Sequence, residues 1–301
     1  MIANFDDFCT WMYTSVDDIW HQFAPSFRRP GPVPACSDSE LITLVLVGEC
    51  RGWDVETELL HEWQCHRHPF PVLPSQSRLN RRRRQLQAAF NLIRQAVVAL
   101  LDVAQERQCA IDSLPIPVVA FHNVPASTGD WRAYGASFGR VPSKQQTIFG
   151  YKLQVFVTLG GVILDVTLAG AHAPDSHVGA DLLVGHTNRD VVGDKAYLDA
   201  RVQAELAQQH RLRLITLPRR NQRQQVDRAM QRVLNGSRQI IETVHGQLAE
   251  QFNIEVNHAH TFWGLCTRLY SKLTAHTLCI YINRLLGNAN FLQIKQLAFP
   301  N

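Results

Sequence analysis

The sequence predicts a mixed α/β fold preceded by an all-helical region, on three observations. Through the first hundred residues, apolar side chains recur at helical spacing between clusters of proline. Near Arg107 the texture changes to short apolar runs rich in β-branched and aromatic residues. From there the order is strand, hairpin, helix, strand, helix, strand, then helices, which describes an antiparallel hairpin beside a parallel part with crossover helices. The 301 residues suffice for one large domain or two small ones. The expected division is a helical region over 1–106 and an α/β domain with C-terminal helices over 107–301.

The elements follow in order. Phe5 to Phe23 carries a helical apolar stripe, and Pro25, Pro30, Pro32 and Pro34 stop it. Ser37, Asp38 and Ser39 are N-cap candidates for a helix from Leu41 to Cys50. Gly52 to Trp63 reads as a further helix. After Pro69, Pro71 and Pro74, Ser75 or Ser77 can cap a helix that runs through Arg81–Arg84 into Leu101. Cys109 to Val119 is strand-like. Ala120 to Thr147, rich in Gly, Ser and Pro, reads as loop. Tyr151 to Leu159 and Val162 to Leu168 form a hairpin about Gly160-Gly161. Asp175 to Val184 is a helix, Arg189 to Gly193 a strand, Asp199 to Gln209 a helix and Leu212 to Leu217 a strand. Gln222 to Leu234, Arg238 to Phe252 and Thr261 to Leu286 read as helices.

Composition excludes several classes. Apolar residues make up 46% and charged residues 19%, an ordinary globular balance. The most apolar run, Leu41 to Val47, is too short for a membrane span. The N-terminus lacks a basic segment followed by an apolar core, so the expected location is cytoplasmic. The seven cysteines are scattered without a CxxC pair and read mostly as buried thiols. Net charge is only +4, but Arg78 and Arg81–Arg84 form one cluster, and Arg211, Arg213, Arg219, Arg220, Arg223, Arg228 and Arg232 another. Such faces suit polyanions, because neutralised phosphates release counterions; solvated helix surfaces are the alternative. Short helices, a turn and an arginine-rich helix also suit a helix-turn-helix-like DNA-binding module, although an ordinary bundle with one basic surface fits almost as well.

Three carboxylates draw attention. Asp112 sits in an apolar strand, where a charge is costly unless paired or metal-bound. Asp194 follows the apolar Val191-Val192-Gly193. Glu242 lies beside the apolar stripe Ile241, Val244, Leu248 and Phe252, and shares a helix face with Arg238 and His245. Phosphodiester chemistry with two metal ions needs carboxylates that converge from such places. Each also has a plainer reading: Asp112 can cap a turn, Asp194 can cap the next helix, and Arg238–Glu242 can be a surface ion pair.

The segments AIDSLPIPV around Asp112, FGYKLQVFVTLGGVI, VVGDKAYLD around Asp194 and RQIIETVHGQL around Glu242 resemble the insertion sequence 982 transposases, within the DDE group related to insertion sequences 4 and 5. GDKAY, with Lys195 and Tyr197, is the most specific. The resemblance implies an RNase H-like catalytic core, a mixed five-stranded sheet with helices, behind a helix-turn-helix-like N-terminal region. It implies Asp112, Asp194 and Glu242 as catalytic, metal-binding residues, with Mg2+ or Mn2+, two ions per site, as cofactor. Arg238, His245 and Lys195 would support them. The insertion sequence 4 signature adds Tyr and Lys at fixed helical positions, which are Asn235 and Ala249 here.

The implied function is cut-and-paste transposition: cleavage at the ends of an insertion sequence, then strand transfer into target DNA. Arg78, Arg81, Arg82, Arg83, Arg84, Lys152, Arg219, Arg220 and Arg223 would contact double-stranded DNA, both terminal inverted repeats and target. A homodimer, a bacterial nucleoid-associated location and no membrane partner complete the expectation. A metal-dependent nuclease that cuts without joining, or a transposase-derived DNA-binding regulator without chemistry, are the alternatives. Three further clusters stand apart. Cys65, His66 and His68, with His61, offer zinc-type ligands at a spacing that matches no common site. His172, Asp175 and His177 follow the returning strand, with Asp175 read as a helix cap. Trp131, Tyr134 and Phe138, with Arg132 and Arg140, can stack on exposed bases or pack on the surface.

Overall fold

Local signals begin the chain. Asn4 accepts from the Asp7 backbone N–H and opens α1 (Phe5–Phe23). Ser37 and Glu40 form a reciprocal capping box that starts α2 (Asp38–Arg51), which stops at Gly52 in a left-handed conformation. Then come α3 (Glu56–Cys65), α4 (Gln76–Gln85) and α5 (Gln87–Leu100). In this computed structural model, residues 2–141, 145–216 and 228–299 are described. The arginine-rich segment expected as one helix is two, broken at Leu86, whose side chain is buried.

Two compact units result, one of residues 1–101 with 247–301 and one of residues 102–246. The sequence reading placed a single boundary near 106. Packing places two, because the C-terminal helices join the N-terminal ones. In the first unit α9 (Phe262–Leu285) is buried nearly all round and packs on α5 and α2; α10 (Lys295–Ala298) follows. Its polar residues meet a buried charge network. Lys272 Nζ donates to Glu49 Oε2 at 2.7 Å and to Asp54 Oδ1 at 2.5 Å. Arg83 donates to Glu49 Oε1 at 2.5 Å and to Ser271 at 2.9 Å. Burial alone would raise the Glu49 carboxyl, yet Lys272 and Arg83 draw it below its usual value. Arg82 is buried too, forked onto Asp38 and the Phe27 carbonyl. Arg82 and Arg83, expected on a DNA-facing surface, are therefore internal ion-pair partners. Arg78, Arg81 and Arg84 occupy the opposite, exposed face of α4.

The second unit holds β1 (Gln108–Val119), β2 (Ser137–Val141), β3 (Gln146–Thr158), β4 (Ile163–Gly170), α6 (Asp175–Leu183), β5 (Asp190–Gly193), α7 (Ala200–His210), β6 (Arg213–Thr216) and α8 (Arg228–Gly246). The expected hairpin turn forms, with Gly161 at φ +81°. β3 lies antiparallel to β1 on one edge; on its other edge it pairs first with β2 and then with β4. β1, β5 and β6 run parallel. Without β2 the order β4-β3-β1-β5-β6 is the mixed five-stranded sheet of an RNase H-like core. The sixth strand, β2, falls in the stretch read as loop, because Gly139 and Ser137 weaken its strand signal. α8 is one helix from 228 to 246, where two were expected.

Cys109, Ile111, Val191 and Leu214 point to one sheet face and pack with Leu182, Leu183 and Leu206 of α6 and α7. Ala110, Asp112 and Val192, at alternate positions, face the side on which α8 lies. Among the described residues all seven cysteines are free thiols, and no helix is long and apolar enough to cross a membrane.

Lys272→Met should destabilise the first unit by about 3–5 kcal/mol, because Glu49 and Asp54 lose their buried partner. Urea unfolding near neutral pH measures this. Glu49 has a depressed folded value, so its contribution is complete above the ordinary carboxylate range and fades as pH falls through that value. The gap between variant and parent should therefore narrow in acid.

Candidate active site

β1 and β5 pair in parallel as far as Ile111 opposite Gly193, and β5 then ends. β1 continues with β3, so the sheet opens at the next residue of each chain segment: Asp112 and Asp194. This is the kind of crevice at a strand's carboxyl end where α/β sheets bind ligands. Asp112 lies within β1 rather than at its end, and it is the end of the β5 pairing that exposes it. A cleft of about 540 Å³ opens there, lined by Asp112, Asp194, Glu242, Lys152, Lys195 and Arg238, with Asp175 and Arg140.

Each carboxylate has a distinct setting. Asp112 accepts from the Ser113 backbone N–H at 2.8 Å, and its side chain is 34% exposed. Burial raises its pKa to about 7, helped by the fields of Asp194 and Asp175 and opposed by Ser113 and Arg238. Asp194 accepts from the Ala196 backbone N–H at 2.7 Å through Oδ1; it caps a single turn over Lys195–Tyr197, while the next helix, α7, which it was read as able to cap, is capped by Asp199. Glu242, 60% exposed, receives Arg238 Nε at 2.7 Å, so the ion pair read as the plain alternative is also real. His245 places Nδ1 3.7 Å from Asp112 Oδ2. Burial lowers its pKa to about 4, partly offset by Glu242, so the ring is neutral at pH 7. Its Nε2 is buried without a hydrogen-bond partner among the described residues. Lys195 lines the cleft and is exposed.

Tyr197, read from the sequence only as part of GDKAY, and Gln154, which sequence reasoning missed, join the site. Tyr197 is buried, and its hydroxyl donates to Gln154 Oε1. Gln154 Nε2 donates to Asp175 Oδ1 at 2.8 Å, and Lys152 Nζ reaches Asp175 Oδ2 at 3.1 Å. Asp175, read as a helix cap, is thus held in the cleft wall; Lys152, expected at DNA phosphate, is its partner. Burial, then the fields of Asp112, Asp175 and Asp194, keeps the Tyr197 phenol protonated as a donor. The Tyr197 ring fills a slot between glycines: a Cβ on Gly179 would come within 2.6 Å of the ring and one on Gly193 within 3.0 Å. That packing accounts for the Gly and Tyr of GDKAY. The one sequence cue to Gln154 was an amide in the middle of an apolar strand.

Other expectations part from this site. Trp131 is buried, and its carbonyl accepts from Tyr151. His66 packs against Phe5 and Trp53, and His68 pairs with Asp6. Arg219, Arg220 and Arg223 lie outside the described residues. Among the described residues no three His, Cys, Asp or Glu side chains form a group able to hold a metal ion. The donor chemistry still fits a hard cation at Asp112 and Asp194: neighbouring like charges, one of them desolvated, raise the cost of ionising without a counterion. One or two carboxylates with waters and phosphates suffice for Mg2+.

The chain matches the family described as Transposase DDE domain over residues 109–261. No curated protein and no solved structure matches it.

Two outcomes follow from the geometry. A raised folded pKa at Asp112 costs stability increasingly as pH climbs from the ordinary carboxylate value to about 7. Asp112→Asn should therefore melt higher than the parent in metal-free buffer at pH 8, by on the order of 1 kcal/mol given its partial exposure, with no difference below about pH 4. Gln154→Leu strands the Tyr197 hydroxyl, and chemical denaturation should register a loss of about 1–3 kcal/mol.

Proposed function

Because the chain belongs to the transposase DDE domain family, we propose that it cleaves DNA at the ends of an insertion sequence and transfers the freed 3′ strand into target DNA. The observation that supports this best is one cleft lined by Asp112, Asp194 and Glu242 together with Lys152, Lys195 and Arg238. Carboxylates that attract cations beside fixed positive charges suit a phosphodiester substrate.

In this reading Asp112 and Asp194 hold Mg2+ or Mn2+, with Glu242 as the third ligand and two ions per site. When bound, such ions neutralise charge on the phosphate and activate the attacking oxygen. Arg238 holds Glu242 at the cleft rim and carries a charge that can face phosphate. His245, neutral, can orient Asp112 without adding charge. The Tyr197–Gln154–Asp175–Lys152 chain fixes the wall opposite, so that positioning precedes substrate binding. The exposed Arg78, Arg81 and Arg84 of α4 belong to a helical DNA-binding region over 1–106 that holds terminal repeats and target backbone. Membership of the insertion sequence 982 group, and a homodimer that processes two ends together, are part of the same proposal.

The test uses purified protein, Mg2+ and a labelled duplex that carries one end of the element, with supercoiled plasmid as target. Cleaved 3′ ends and joined products are expected, and both should vanish with EDTA. Asp194→Asn should lower cleavage at least about 10²-fold, the loss seen when one electrostatic stabiliser is removed. Cleavage with no joined product would replace this reading with a nuclease. Unchanged cleavage by Asp194→Asn would remove Asp194 from the site.

A further inference from the structure

An aromatic ledge adjoins the cleft and takes no part in the chemistry above. β2 alternates: Phe138 and Arg140 are exposed, and Gly139 between them is buried. Phe138 is 44% exposed and Phe121, in the turn Phe121–Ala126, is 60% exposed. Their rings lie 5.4 Å apart. Behind them Phe138 meets the buried Phe149 at 5.0 Å, across the β2–β3 pairing. The Arg132 guanidinium sits 5.7 Å from the Phe149 ring centre. The exposed ring is therefore backed by a fixed one rather than loose on the surface. Arg140, one outward position further along the same strand, lines the cleft with Asp112, Asp194 and Arg238.

An exposed aromatic surface, two rings inclined at 59°, that continues into a cationic rim matches a ligand with a flat apolar face bonded to an anion. A nucleotide has that form, and its base face is free only when unstacked from a duplex. Resting on the transposase reading of the cleft, we infer that Phe121 and Phe138 form a stacking shelf for an unpaired base of the DNA strand whose phosphate Arg140 guides into the cleft. Every base offers a π face, so the shelf is tolerant of sequence. Its contribution offsets part of the unpairing needed to bring a terminal phosphate to Asp112 and Asp194.

The test compares binding of the full chain, without metal, to a labelled oligothymidylate single strand and to a blunt duplex by fluorescence anisotropy. Phe138→Leu keeps the apolar packing on Phe149 and removes the π face; Phe138→Trp keeps both. Single-strand binding should weaken roughly ten-fold in Phe138→Leu and in Phe121→Ala and be retained in Phe138→Trp, with duplex binding changed less than about two-fold. A 2-aminopurine at an unpaired duplex end should be quenched by the parent and by Phe138→Trp, but not by Phe138→Leu. Intact duplex binding with unchanged single-strand binding in both loss variants would overturn the shelf alone. The same result with a weakened self-association in sedimentation would assign the ledge to contact between copies of this chain. Failure of the parent to bind either DNA would overturn the shelf together with the transposase reading.

Discussion

The register between β1 and β5 governs the second unit. Ile111 lies opposite Gly193 in a parallel pair, so Asp112 and Asp194 leave the ladder side by side where β5 stops and β1 continues. A slip of one residue in either strand would turn that strand's carboxylate into the α6/α7 core, where Ile111 and Val191 now pack. That register is held from behind by Tyr197, whose ring needs the missing side chains of Gly179 and Gly193. Backbone pairing, a glycine-lined slot and an apolar face thus bring two like charges together that repel one another.

The repulsion is visible in the groups themselves. Asp112 is pushed up by burial and by its acidic neighbours, while Asp194 is steadied by a backbone N–H and Glu242 by Arg238. Asp175 is tied by Lys152 and Gln154. Asp112 too has a local donor, the Ser113 backbone N–H, but burial outweighs it. In the proposed reading that burial leaves Asp112 a demand for a counterion, which a bound cation would meet. A neutral His245 beside it leaves that demand unmet.

In the first unit, charge has a different use. Glu49, Asp54, Arg83 and Lys272 neutralise one another within a largely apolar bundle, and such networks stabilise only as complete sets. The arginines of α4 divide by helix geometry. Leu79, Arg82 and Arg83 share the buried side, and Arg78, Arg81 and Arg84 the exposed one. A single run of like residues therefore serves both folding and surface charge.

Much of this was legible in the chain. Helical spacing set α1, a capping box set the start of α2, and Gly160-Gly161 set the β3–β4 turn, because these signals lie within a few residues of one another. The antiparallel hairpin beside a parallel part, and Asp112, Asp194 and Glu242 as companions, followed from the order of elements and from motif resemblance. What remained hidden involved partners far apart in sequence. Arg82 and Arg83 look identical to their neighbours until Asp38, Glu49 and Ser271 are brought to them. Asp175 lines the cleft, and Gln154 holds it from behind, only when β3 and α6 meet Tyr197. β2 forms because β3 offers it an edge, against its own weak propensity. Local sequence determined which elements form; long-range packing decided which charges are buried, which are shared, and which face the cleft.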